Sequence, residues 1–229
     1  MTRYFKVLSV DNRSCNGGSP DLVWSLPTQN EDGSWCPGEW MPEVQGDLEL
    51  CANGYHLARE TDLLRWLNAS IYEAEPSSEM IEGDGKVVCR SVRLLRKTPW
   101  NQQTIVLFAC DCAERVLPLF EREYPDDQRP RQAIETARKW AHGKATLEEV
   151  HAAAHAAAYA AADAAADAAT DAAYDAIYAA ARAAYDAADA ADAVDAAYDA
   201  IYAADAAEKE WQQKRLMEYV EGRVEAPHA

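Results

Sequence analysis

From His151 to Ala207, 34 of 57 residues are alanine and ten are aspartate, with Arg182 the only cation. No glycine or proline falls between Gly143 and Gly222. Alanine is the best helix former and loses no side-chain entropy on folding, so this stretch is predicted to be helical throughout. Uninterrupted, it would extend on the order of 100 Å, far beyond an ordinary globular helix. Two or three antiparallel helices are more economical, with alanine allowing close backbone approach while tyrosine and isoleucine fill the gaps. The segment AAYDAIYAA occurs at 172–180 and again at 196–204, an offset of 24 residues. On one straight helix that offset turns the copies apart by about 240°, whereas a break between them would restore a common face.

The aspartates of this tract carry the pattern of functional interest. Asp163, Asp167, Asp171 and Asp175 are four apart, and Asp186, Asp189, Asp192, Asp195 and Asp199 are three or four apart. Each series forms a column of carboxylates along a helix, with successive charges about 5–6 Å apart. Like charges at that spacing repel by a few tenths of a kcal/mol per pair, and no neighbouring cation relieves them. One reading is a solvated face that keeps an alanine-rich bundle in solution. The sharper one is a docking face: the carboxylate rows imitate a phosphate backbone and steer into a basic cleft, with Tyr174, Tyr178, Tyr185, Tyr198 and Tyr202 as apolar anchors.

The charge distribution along the chain agrees. Thirty-nine acidic residues against 22 basic ones give a net charge of −17, divided as −5 over 1–98, −2 over 99–150, −9 over 151–207 and −1 beyond. Direct binding to nucleic acid or anionic lipid needs clustered lysine and arginine, so the expected partner is instead a basic protein, one that handles nucleic acid. No run of eighteen strongly apolar residues is present, so no membrane span is expected. The opening MTRYFKVLSVDNRS has no small-residue cleavage site, which points to a cytoplasmic protein. Cys15, Cys36, Cys51, Cys89, Cys110 and Cys112 are scattered over a chain too large to need disulfide staples and read as reduced thiols. A zinc site is the alternative, but Cys110 and Cys112 have one residue between them instead of the usual two to four.

The first hundred residues read as α+β and mostly antiparallel. A strand is predicted over 3–9, then turn-rich chain to Gly46 anchored by Trp24, Trp35 and Trp40, a strand over 47–51, and a turn at Asn53-Gly54. Thr61 is placed to cap a short helix over 62–68, and 70–75 alternates as a strand. Asp84-Gly85 is a hairpin turn before one long strand, KVVCRSVRLL, with Val87, Cys89, Ser91 and Arg93 facing away from Val88, Arg90, Val92 and Leu94. Thr98-Pro99 then signals a helix start, and Ile105, Phe108, Ala109, Cys112, Val116 and Leu119 mark its buried face, bent or broken near Pro118. A second helix starts around Asp126, Asp127 and Pro130, buries Ile134, Ala137 and Trp140, and ends at His142-Gly143. The run from Thr146 to Glu149 is a capping box that opens the alanine tract.

Few residues suggest chemistry. His151 and His155 have the i, i+4 spacing of a metal pair, without a third ligand one turn away, and no metal or other cofactor is expected. His56, with Tyr72, Glu73 and Glu75 on a later strand, is the candidate for an acid–base site, against the plainer reading of a hydrogen-bonded sheet histidine. No Walker loop, GxGxxG, GxSxG or HExxH sequence occurs.

Two resemblances follow from these motifs. GDLELCANGYHLARETDLLRWL, followed by IYEAE and KVVCRSVRLLR (about 47–95), resembles an uncharacterised domain of phage, prophage and actinobacterial proteins with a cysteine-glycine-aromatic-histidine signature. Many relatives have a second cysteine after the histidine, where this chain has Ala58. The second resemblance is carried by Asp111-Cys112-Ala113-Glu114-Arg115, Arg129-Pro130-Arg131, Ala133-Ile134-Glu135 and the end at Trp140–Gly143. This stretch, with its alanine tail (about 104–207), is similar to an immunity-protein domain of bacterial toxin–immunity systems, which implies a binding role.

The expectation is therefore an α+β domain over 1–98, an all-helical domain over 99–222 and a flexible tail over 223–229. The expected function is a non-enzymatic acidic inhibitor that neutralises a partner, of immunity or phage anti-defence type. The alternatives are an enzyme built around His56 and a self-associating helical scaffold forming homo-oligomers.

Overall fold

One long hairpin organises the first half of the chain. In the computed structural model, which describes residues 2–15, 22–166 and 206–224, Asp84-Gly85 turns the chain between β6 (Met80–Gly83) and β7 (Lys86–Cys89). Gly85 takes φ +69°, the left-handed region that such a turn requires and that glycine enters without steric cost. The same ladder continues into β5 (Ser70–Pro76) and β8 (Val92–Lys97), with Met80 opposite Cys89, Pro76 opposite Val92 and Ala74 opposite Leu94. It is bonded through the bend by Arg90 N–H to the Glu79 carbonyl (3.1 Å) and Ser77 N–H to the Ser91 carbonyl (2.9 Å).

β1 (Tyr4–Leu8) and β4 (Tyr55–Arg59) sit between the two halves of that hairpin: β1 pairs with β4 and β5, and β4 pairs with β7, all antiparallel. The strand order is β6-β7-β4-β1-β5-β8. β7 and β8 are thus four places apart in the sheet but only Arg90 and Ser91 apart in sequence, which a flat sheet cannot satisfy, so the sheet curls. Its interior is filled by Leu8, Tyr55, Leu57, Tyr72, Ala74, Val87, Cys89, Val92 and Leu94, closed by Trp24 and Met41.

The corner corrects the expectation of one strand over 86–95. Val87 and Cys89 share the interior with Val92 and Leu94, so the face parity reverses at Arg90-Ser91. Arg90 holds the corner by pairing with Glu79 and donating to the carbonyls of Val44 (2.7 Å) and Gly46 (2.9 Å). Ser91 Oγ donates to the Met41 carbonyl (2.5 Å). The outer side of β8 receives residues 38–44 through Gly38 N–H to the Leu94 carbonyl (2.9 Å) and Met41 N–H to the Val92 carbonyl (2.8 Å). β2 (Thr28–Gln29) and β3 (Trp35–Cys36) form a separate small hairpin.

Three local expectations are displaced. Residues 47–51 form no strand: an isolated bridge joins Glu49 to Asn53, and the strand begins after Gly54 as β4. The short helix is a 3-10 helix over Glu60–Trp66 with Arg59, not Thr61, at its N-cap, because β4 runs directly into it and Leu63 and Leu64 bury against the core. Of the three tryptophan anchors, Trp24 is buried, Trp35 is half-buried and Trp40 is exposed, stacked by Arg93.

The helices follow in a second unit, Asn101–Ala229, separate from Met1–Trp100 by internal packing. α1 (Gln102–Glu123) starts later than Thr98-Pro99, since Thr98 still belongs to the sheet: its N–H and hydroxyl both donate to the Ile71 carbonyl (3.0 and 2.9 Å). Asn101 and Thr104 form the capping box instead. α1 runs unbroken through Pro118. Ile105, Phe108, Ala109 and Cys112 are buried as expected, but Leu119 is 39% exposed. The buried stripe continues from Ala113 to Leu117 and Phe120, the i+4 and i+7 positions of that residue.

α2 (Arg129–Ala141) opens with Asp127 accepting from the Arg129 N–H (3.0 Å) and buries Ala133, Ile134, Ala137 and Ala141, while Trp140 is only half-buried. α3 (Leu147–Ala166) packs on α2 through Val150, Ala154, Ala157 and Ala160, a small-residue stripe that lets the two backbones approach closely. Its capping box is present: Thr146 N–H donates to Glu149 Oε2 (2.7 Å), and Glu149 N–H donates to Thr146 Oγ1 (3.2 Å). Thr146→Ala should lower stability by about 1 kcal/mol, read as a shift in urea midpoint at unchanged slope. α4 (Ala206–Val220) packs on α1. No helix among the described residues is long and apolar enough to cross a membrane.

Candidate functional site

Of the residues expected to meet a partner, Asp163 lies on α3, and its side chain falls outside the described residues. So do Asp167, Asp171, Asp175, Asp186, Asp189, Asp192, Asp195 and Asp199, and Tyr174, Tyr178, Tyr185, Tyr198 and Tyr202. What is described is the pair of helices flanking them in sequence, α3 before and α4 after. On α3, His155 and Tyr159 are exposed and His151 is half-exposed.

α4 is held by a buried charge cluster that sequence reading had not resolved. Asp111, on α1 and only 8% exposed, accepts from Arg138 Nη2 of α2 (2.6 Å), from Arg215 Nε of α4 (2.6 Å) and from the Tyr219 hydroxyl (2.7 Å). Three helices thus meet on one carboxylate. Burial first, then the adjacent Asp111 carboxylate, pushes the Tyr219 phenol well above its ordinary value, so it stays a donor. The Phe108 ring packs edge-on against Tyr219 (centroids 6.2 Å apart). Arg138 also pairs with Glu114 (2.6 Å) and Arg215 with Glu218 (2.7 Å). Beside them Arg115 pairs with Glu208 (2.9 Å) and lies over the Trp211 ring (4.6 Å). The Asp111–Arg115 run therefore works as a clamp on the helix that follows the acidic tract. The only available signal was a carboxylate in an otherwise apolar helical stripe.

The sheet unit holds a different cluster. A cavity of about 350 Å³ opens beside β1 and β4, lined by Lys6, Cys15, Trp24, Cys51, His56 and Lys86 among others. Lys6 is 9% exposed; its Nζ donates to the His56 carbonyl (3.2 Å) and lies 4.7 Å from the Trp24 ring centre. His56 Nε2 accepts from the Cys51 N–H (2.9 Å). Burial, then Lys6 and Lys86, lowers the His56 pKa and keeps the ring neutral at pH 7. Lys86 Nζ donates to Cys51 Sγ (2.8 Å) and lies over Trp66 (5.3 Å). Gly54 fits here at φ +129° because a Cβ would come within 2.3 Å of Val88 Cγ1.

The acid–base alternative around His56 is not assembled. β1 separates β4 from β5, Glu73 is bound by Arg3 (2.7 Å) and Arg96 (2.7 Å), Glu75 by Arg93 (2.6 Å), and the Tyr72 hydroxyl donates to Asn12 (3.0 Å). Burial works against a thiolate at three of the cysteines, pushing Cys15 up to about 11, and Cys89 and Cys110 to about 12. All six cysteines are free thiols, and among the described residues no group of three or more His, Cys, Asp or Glu is placed to hold a metal.

No curated protein and no solved structure matches the chain. A family model described as Imm-5 like putative immunity protein matches residues 97–219, the segment that runs from the end of β8 through the Asp111 cluster to Tyr219 and spans more than half of the 229 residues. The chain belongs to that immunity-protein family.

Proposed function

We propose that this protein binds and neutralises a toxin protein, and that the toxin is a basic protein acting on nucleic acid. Family membership supports the first part, an immunity-type neutralising role exerted on a partner toxin. The second part rests on one observation, the run of ten aspartates against a single arginine between residues 151 and 207. Carboxylates on successive helical turns repel one another, and that cost is offset when a cationic surface docks on them. Inhibition of this kind works by occupying the partner's substrate cleft, so it requires no reacting group on this chain.

The test has two stages. Proteins captured on the full-length chain at low ionic strength are expressed alone and then with it. The expected outcome is one captured protein that arrests growth alone and is harmless when co-expressed; if every captured protein is harmless alone, or none is rescued, the immunity reading fails. For the charge mechanism, replacing Asp163, Asp167, Asp171 and Asp175 together by asparagine should weaken binding to that toxin at least about tenfold and flatten its salt dependence. Wild-type binding that does not change between low and high salt would remove the mimicry component while leaving neutralisation standing. His56→Ala should leave protection unchanged.

A further inference from the structure

We propose that the cavity in the sheet unit is a binding site for a small aromatic anion, whose acidic group is held by Lys6 and Lys86 and whose flat body lies on the Trp24 side. This is independent of the immunity reading, which concerns the helical unit.

Three observations carry it. The first is size: about 350 Å³ falls in the range of small-molecule sites, roughly 300–1,000 Å³. The second is charge. In a chain of net charge −17, this cavity is lined by two lysines and a histidine and by no carboxylate among the described residues. The third is the state of Lys6. It points to the same side of β1 as Tyr4 and Leu8, into the apolar interior, where methionine or leucine would fill the space without a desolvation cost. An ammonium carries three donors; among the described residues one is taken by the His56 carbonyl, the Trp24 face lies beside the group, and no carboxylate pairs with it. An entering anion would supply the missing acceptors in a low-dielectric setting, where a charge-assisted hydrogen bond is strongest. Trp24 and Leu22 provide the apolar wall, and Trp66, with Lys86 above it, a second aromatic surface.

Charge dependence can be read through pH. The titratable groups around Lys6 and its cavity are His56 and Tyr55 from β4, Tyr72 opposite it on β5, Cys89 and Lys86 from β7, and Cys15 beyond β1. Burial brings Lys6 down to about 8, whereas Cys15 and Cys89 stay protonated to about 11 and 12, burial raises Tyr55 and Tyr72, and His56 is neutral from pH 7 upward. Anion binding should therefore weaken as pH rises from 7 to 9. Cys51, in contact with Lys86, is removed as a contributor by Cys51→Ser.

The experiment is a fluorescence titration of the full-length protein with the naphthalene sulfonate dye ANS and with its uncharged parent, N-phenyl-1-naphthylamine. In wild type, ANS should bind at one site and more tightly than the neutral dye, with the same loss of affinity from pH 7 to 9 in Cys51→Ser. Lys6→Met should weaken ANS at least about tenfold, the loss expected for a buried charge-assisted bond, and leave the neutral dye within about twofold. Equal ANS affinity in wild type and Lys6→Met, a neutral dye that binds wild type as tightly as ANS, or no ANS binding at millimolar dye would each overturn the proposal. Circular dichroism of Lys6→Met checks that the sheet is intact, and Lys86→Met, at a half-exposed position in the lining, should likewise weaken ANS and spare the neutral dye.

Discussion

Asp111→Ala is expected to destabilise the helical unit by about 3–5 kcal/mol, measured as a loss of unfolding free energy in urea. The carboxylate, on α1, is nearly buried and receives a guanidinium donor from α2 and a guanidinium and a phenol from α4. Removing it leaves Arg138 and Arg215 facing each other, part-buried, with the anion between them gone. Breaking a buried pair from one side costs far more than the pair itself contributes, because the remaining charges keep their desolvation penalty. Glu114 and Glu218 each retain one of the arginines, which places the loss near the lower end of that range. Asp111→Asn keeps an acceptor oxygen and should lose less. A loss below about 1 kcal/mol for the alanine variant would show that the cluster is solvated and does not clamp α4.

Lys6→Met is expected to do the opposite and stabilise the ligand-free protein by roughly 3 kcal/mol at pH 7, with the gain vanishing near pH 10.5. Burial lowers Lys6 from 10.5 to about 8. Below pH 8 the side chain is charged in both states, and folding bears the full desolvation penalty. Between 8 and 10.5 the folded state has released a proton that the unfolded chain still holds, so wild-type stability climbs with pH toward that of the variant. Paired urea titrations at pH 7, 9 and 10.5 measure the gap. A constant gap would mean that the difference comes from packing; no gap at pH 7 would mean that water reaches the ammonium. A stabilising Lys6→Met change would agree with a role for this lysine in binding at the cavity and not in holding the fold.

Periodicity and capping made several elements readable in advance: β1, β5, the Asp84-Gly85 turn, the α2 stop at His142-Gly143 and the Thr146–Glu149 box that opens α3. Each depends on hydrogen bonds or side-chain spacing within a few residues, which local sequence encodes. The antiparallel α+β class followed from the same signals. The acidic face proposed for binding comes from counting charges in the sequence alone, and the side chains named for it lie outside the described residues.

The tertiary structure decided the rest. Alternation continued through KVVCRSVRLL in sequence, but the corner at Arg90-Ser91 reversed it, because closing the sheet places the two halves of one hairpin on opposite sides of β1 and β4. Asp111 finds Arg215 across 104 residues, and no local pattern links the two. Nothing in the sequence of β1 sets Lys6 apart, and its burial follows only from β4, β7 and Trp24 closing around it. Helices and turns are set by neighbours in the chain, whereas a buried charge is defined by what surrounds it in space.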